Sequence, residues 1–95
     1  MPEMRFHVRW PDESIEVCYS PSLVIKDYFS VGESYPLADF LARSRAALNI
    51  ANERVRAKYG FACSQAVNQL ARIESAAMAF GGDADARVTI DAFEE

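Results

Sequence analysis

The single histidine, His7, and one of two cysteines, Cys18, are the residues best suited to nucleophilic chemistry in this 95-residue chain. A thiolate beside an imidazole is the raw material of a cysteine nucleophile, because the base lowers the thiol's effective pKa. The strand pairing derived below sets His7 opposite Cys18. Cys18 also lies two residues before an expected helix start, whose dipole favours a thiolate. No oxyanion donor or third orienting residue accompanies the pair. An ordinary cross-strand contact is therefore the favoured reading, and no catalytic residue is assigned. Tyr19-Ser20-Pro21-Ser22 is a second constellation. Free backbone amides at a helix start, flanked by serines, suit a small anion or carboxylate. Ser20 acting simply as the helix cap is favoured over a ligand site of Tyr19, Ser20 and Ser22, though the two roles are compatible.

Two cysteines and one histidine fall short of the four-ligand set of a structural zinc site, so no metal is expected, nor any other cofactor. Gly-rich phosphate loops, HExxH and GxSxG elbows are absent from the sequence. Asp39 and Glu53 lie 14 residues apart, too far for paired acid–base work. On the long helix described below, Arg43 and Arg54 edge one flank of the apolar stripe, and Arg45 and Arg56 the other. Arginines that straddle a buried face are better read as snorkelling side chains paired with Glu and Asp than as phosphate contacts. Opposite the stripe lie Ala42, Ala46, Ile50 and Ala57. An outward face of alanines with an exposed isoleucine predicts protein–protein contact, with helix propensity alone as the plainer explanation.

Hydrophobic spacing names the elements that must position these side chains. Met4, Phe6, Val8 and Trp10 alternate with Arg5, His7 and Arg9, the period of a half-buried strand. Pro11-Asp12-Glu13-Ser14 supplies turn chemistry, and Ile15, Val17 and Tyr19 resume the alternation. Matching the two apolar faces sets Trp10 opposite Ile15, Val8 opposite Val17 and Phe6 opposite Tyr19 across a four-residue connection. The reverse face then pairs Arg9 with Glu16 and His7 with Cys18. Ser20-Pro21 reads as cap and first residue of a short helix through Leu23, Val24, Asp27 and Tyr28, broken at Val31-Gly32.

Residues 36–59 carry the strongest signal. Leu37, Phe40, Leu41, Ser44, Leu48, Ala51, Val55 and Tyr59 form one helical stripe, and Gly60 stands where a left-handed C-cap belongs, with Phe61 as its hydrophobic closure. Ser64 caps a further helix with Val67, Leu70, Ile73, Ala77 and Phe80 inward, ended by Gly81-Gly82. In residues 83–95 a β-branched cluster predicts a third, edge strand on the hairpin, with a disordered acidic tail as the alternative. The fold class is α+β: one two-layer domain over residues 1–95, an antiparallel hairpin packed against two longer helices and one short one.

Half of the residues are hydrophobic (51%) and a quarter charged (25%), which excludes intrinsic disorder as the basis of function. The net charge is −4, and residues 83–95 hold five of the 14 acids against one arginine. The preceding 82 residues are thus formally neutral, which suits docking on other proteins and argues against a nucleic-acid partner. No apolar run approaches the roughly 18 residues that span a bilayer, and the N-terminus lacks a signal-peptide pattern. A soluble, cytoplasmic protein with no membrane partner is expected. In that reducing compartment Cys18 and Cys63 are expected as two buried thiols, not a disulfide.

Several longer strings then narrow the reading: Met1-Pro2-Glu3-Met4-Arg5-Phe6, Arg9-Trp10-Pro11-Asp12, Cys18-Tyr19-Ser20-Pro21-Ser22-Leu23-Val24, Ser34-Tyr35-Pro36 and Arg54-Val55-Arg56-Ala57-Lys58-Tyr59-Gly60-Phe61. With Arg43-Ser44-Arg45-Ala46-Ala47-Leu48 and Gln69-Leu70-Ala71-Arg72-Ile73-Glu74, they resemble a small bacterial family of nitrogen-starvation-response proteins, of mycobacterial type. The resemblance runs from residue 1 to residue 80, leaves the tail after Gly81 unmatched, and leads one to expect a turn glycine at Glu13. It implies genes that resemble accessory members of a cluster built around a nitrilase and linked to nitrogen limitation and cyanide assimilation. Radical-SAM, acetyltransferase-like, flavoprotein and AIR-synthase-like proteins accompany them. No reaction carries over onto a named residue. The expected function is a non-enzymatic accessory protein, contacting a second copy or a nitrilase-cluster protein through Ala42, Ala46, Ile50 and Ala57. The alternatives are an anion-binding module at residues 19–22 and, behind it, a Cys18-based enzyme.

Overall fold

The turn after the first strand decides the register of the hairpin. A computed structural model describes residues 3–83 and 85–95; Met1 and Pro2, where the family resemblance begins, lie outside them. Strand β1 (Met4–Arg9) leads through the turn into β2 (Ile15–Ser20). The Trp10 amide donates to the Ser14 carbonyl at 2.9 Å, and the Glu13 amide to the Trp10 carbonyl at 2.9 Å. The loop is therefore three residues, Pro11, Asp12 and Glu13: a type I turn closed by a left-handed residue, Glu13 with φ 72°. Asp12 Oδ1 braces it, accepting the Ser14 amide at 3.0 Å.

A loop one residue shorter than expected moves the pairing by one. Phe6 faces Cys18, Val8 faces Glu16 and Arg9 faces Ile15. The expected pairs of Trp10 with Ile15, Val8 with Val17, Phe6 with Tyr19, Arg9 with Glu16 and His7 with Cys18 do not form; His7 faces Val17. A one-residue slip turns every side chain of a strand over. Ile15 and Val17 consequently lie on the outer face of the sheet, 48% and 49% exposed. Glu16 can turn inward because donors meet its carboxylate: Trp10 Nε1–H at 3.1 Å and, at 3.5 Å, the Gln69 amide. Glu13→Gly is expected to stabilise the protein by about 0.5–1 kcal/mol, because a left-handed φ penalises a Cβ more than glycine's extra unfolded entropy costs. A raised urea midpoint at unchanged slope checks this.

The acidic C-terminal residues are a strand, but not an edge. Strand β4 (Arg87–Glu94) pairs antiparallel with β1 on one side and with the short β3 (Ser34–Pro36) on the other, giving the order β2-β1-β4-β3. Val88 and Ile90 are fully buried. A register shift opposite His7 and Val8 leaves Asp91 unpaired in the ladder, where it reaches Arg9 at 3.0 Å. Glu94 takes His7 at 2.7 Å and Glu95 takes Lys26 at 2.8 Å. The terminal acids thus neutralise the basic side of β1 and of the first helix. Strand β3 escapes sequence reading because three residues are too few to show a period.

All the helices lie on one side of the sheet. Helix α1 is only Ile25–Tyr28; Ser20 ends β2 and does not cap it, and Pro21 and Ser22 sit buried in the bend between. Helix α2 (Leu37–Tyr59) ends on Gly60 at φ 84°, whose amide donates to the Arg56 carbonyl, as the spacing predicts. Phe61 does not close that cap and is 68% exposed. Its stripe buries Phe40, Ser44, Ala47, Leu48, Ala51 and Val55. Helix α3 (Ser64–Met78) is capped at Cys63, not Ser64. It buries Ala66, Gln69, Ile73 and Ala77, leaving Val67 on the outside. Trp10 plugs one end of the core, edge-on to Phe40 at 5.5 Å and stacked on Phe80 at 6.0 Å. Phe29 bridges Phe6 and Phe40. Among the described residues no helix is long and apolar enough to cross a membrane. The opposite face of the sheet carries no covering element among them.

Candidate functional site

The residues with nucleophile chemistry are separated by the sheet itself. Cys18 lies on the core side of β2, fully buried, while His7 points to the open side and bonds Glu94. Burial, reinforced by the Glu16 carboxylate, pushes the Cys18 thiol far above its ordinary range. That is the reverse of what a nucleophile needs. Both cysteines are free, Cys18 buried and Cys63 half-buried, so the expected pair of buried thiols holds in full only for Cys18. Ellman's reagent is expected to titrate one thiol in the native protein and the second only on unfolding; rapid reaction of both would contradict this burial.

The residues at 19–22 are brought together as structure, not as an open helix start. Ser20 and Ser22 are buried, and Ser20 Oγ donates to the Ser22 carbonyl at 2.8 Å. Ser22 Oγ accepts from Arg54 at 2.8 Å, which ties the bend to α2. Only Tyr19 reaches the surface, and its backbone amide donates to Gln69 Oε1 at 3.0 Å. Burial and the neighbouring Glu3 carboxylate push the Tyr19 phenol up to about 12. With the folded-state value above the ordinary 10.0, stability is full below pH 10 and falls as pH rises from 10 toward 12. Ultraviolet difference titration should therefore show one tyrosine ionising late, together with alkaline unfolding.

On α2, Ala42 and Ala57 are exposed, and Ala46 is half-buried. Ile50 is not the exposed isoleucine expected: it packs against the core. Helix α3 lies along the other flank, where Arg45 meets Glu74 at 3.1 Å and Asn52 Oδ1 accepts the Cys63 amide at 2.7 Å. The flanking arginines pair much as expected, Arg43 with Asp39 and Arg56 with Glu53, while Arg54 takes Ser22. Among the described residues no three His, Cys, Asp or Glu side chains converge as metal ligands.

Sequence reading missed Gln69. It is fully buried in α3, yet its Oε1 accepts from both Tyr19 N–H and Arg72 Nη2, the latter at 3.1 Å. The signal was a carboxamide at an apolar helix position, one turn from Ile73. Its partners became visible only with β2 in place. Outside this network lies an open cleft of about 420 Å³, lined by Glu3, Arg5, Tyr19, Gln65, Asn68 and Arg72.

No curated protein and no solved structure matches the chain. A family does. The match covers residues 5–93 and so includes β4, beyond the stretch to residue 80 that the sequence strings suggested. With nearly its whole length matched, the chain belongs to the family described as nitrogen starvation-induced protein NitG.

Proposed function

We propose that the protein is a non-enzymatic accessory protein of the bacterial nitrogen-starvation response, of mycobacterial type. It acts by contact with another protein of a nitrilase gene cluster. One observation carries this reading: the register turns Ile15 and Val17 onto a sheet face that no helix covers. Isolated exposed apolar residues need no explanation, but two β-branched side chains spaced along one edge strand form a stripe that a partner can bury. The separation of His7 from Cys18 by the sheet favours a contact role over a thiol reaction. A homodimer through Ala42, Ala46 and Ala57 is the second form of the same reading, weakened by the inward packing of Ile50.

Co-expression with each protein of the cluster in turn, followed by size-exclusion chromatography with light scattering, tests both forms. A complex lost in Ile15→Asp and Val17→Asp, but kept in Ala42→Asp, supports the open sheet face. A complex or dimer lost only in Ala42→Asp moves the contact to α2. No complex with any cluster protein, alongside a monomer at high concentration, overturns the proposal.

A further inference from the structure

Six of the eight arginines bond a carboxylate, a serine oxygen or a backbone carbonyl: Arg9, Arg43, Arg45, Arg54, Arg56 and Arg87. Among the described residues, the two that do not are Arg5 and Arg72, and both line the cleft between the start of β1, the end of β2 and α3. Two guanidiniums share this cleft with a single carboxylate, Glu3, so its lining keeps an excess of positive charge that an oxyanion offsets. Arg72 is also held in place. Its Nη2 donates to the Oε1 of the fully buried Gln69, which α3 and the Tyr19 amide fix in turn. A guanidinium fixed through one nitrogen keeps its remaining donors aimed without further entropic cost on binding.

The rest of the lining is polar and bifunctional. Gln65 and Asn68 expose carboxamides on the first turns of α3, and Tyr19 contributes a phenol. Glu3 has no ion-pair partner among the described residues and stands at the same cleft. A bare dianion would meet Glu3 unfavourably, whereas a ligand carrying both a carboxylate and an ammonium satisfies both signs of charge. We propose that this cleft binds a small amino-carboxylate, of the α-amino-acid class. Its carboxylate lies on Arg5 and Arg72 and its ammonium at Glu3. The site is distinct from the helix-start reading at residues 19–22, with which it shares only Tyr19. It does not depend on the protein-contact role.

NMR titration of the full chain tests this, following backbone amides and arginine Nε–H signals with L-glutamate, glycine, acetate and inorganic phosphate as probes. The amino acids are expected to shift the Arg5, Arg72 and Tyr19 signals saturably. Arg5→Gln and Arg72→Gln should each weaken that binding about tenfold or more, the worth of a charge-assisted hydrogen bond. Glu3→Gln should weaken the amino acids while strengthening acetate. Arg5 is exposed and makes no side-chain bond among the described residues, so Arg5→Gln keeps the fold and alone carries the test if Arg72→Gln, which also cuts the bond to Gln69, loosens α3. Absence of saturable shifts with every probe, acetate or phosphate binding as tightly as the amino acids, or unchanged affinity in the arginine variants would each overturn the proposal.

Discussion

A chain ending at Ala86 is expected to lose the fold entirely, with no cooperative urea transition and a collapsed amide spectrum. Residues 87–95 are terminal and hold three acids, Asp91, Glu94 and Glu95, which the alternative of an acidic tail would make dispensable. They form instead the strand that joins β1 to β3. Their removal exposes the hydrogen-bonding edge of β1 on one side and β3 on the other. It also releases the Gly32 amide, which donates to the Ile90 carbonyl at 2.7 Å. Burial of Val88 and Ile90 alone is worth roughly 1.5–3 kcal/mol per side chain. Added to the orphaned backbone groups, that is comparable with the whole stability of a small domain, roughly 5–15 kcal/mol. Charge has a smaller share: the pairs Asp91–Arg9, Glu94–His7 and Glu95–Lys26 are partly exposed and individually weak. Replacing Asp91, Glu94 and Glu95 with the corresponding amides should therefore leave a folded protein. A truncated chain that still melted cooperatively would show that β4 is peripheral after all.

Trp10→Ala is expected to cost about 3–5 kcal/mol, the range for deleting a buried aromatic ring. The indole is buried between Phe40 and Phe80, and its loss opens a cavity where β1, α2 and the end of α3 meet. Trp10→Phe separates two contributions. It retains a ring against Phe40 and Phe80 but removes the Nε1–H that Glu16 accepts, and should cost about 1–3 kcal/mol. Combining Trp10→Phe with Glu16→Gln then recovers part of the loss, because the uncompensated inward carboxylate is gone. Urea denaturation monitored by circular dichroism gives all three values on one scale. Equal costs for the alanine and phenylalanine variants would mean that the indole hydrogen bond, and not packing, holds this corner.

Much of the frame was legible in the residues. The helix over residues 37–59 and its Gly60 cap followed from a stripe repeated across more than six turns, a signal long enough to survive local exceptions. The first strand and the terminal β-branched cluster were equally plain. The second strand was misread for an identifiable reason. Its alternation, Ile15-Val17-Tyr19, is a genuine strand pattern, and maximising apolar burial puts that face inward. The three-residue turn imposed the other register, and Glu16 could turn in because Trp10 and Gln69 receive it. Local turn geometry outweighed two exposed aliphatic side chains. The same register sets His7 opposite Val17 and Cys18 opposite Phe6, so the imidazole and the thiol face opposite sides of the sheet.

By itself, then, the sequence determined what is local or strongly periodic: the α+β class, the long helix, the first strand and the membership carried by its residue strings. Which side of β2 faces the core, where β4 enters the sheet and which arginines, among the described residues, have no ion-pair partner were decided by the tertiary structure. The physical reason is shared. A period identifies an element and one of its faces, but pairing between elements 50 to 90 residues apart, as in Tyr19–Gln69 and His7–Glu94, depends on partners no local window contains. The open sheet face and the cleft at Arg5 and Arg72 both arise from such pairings.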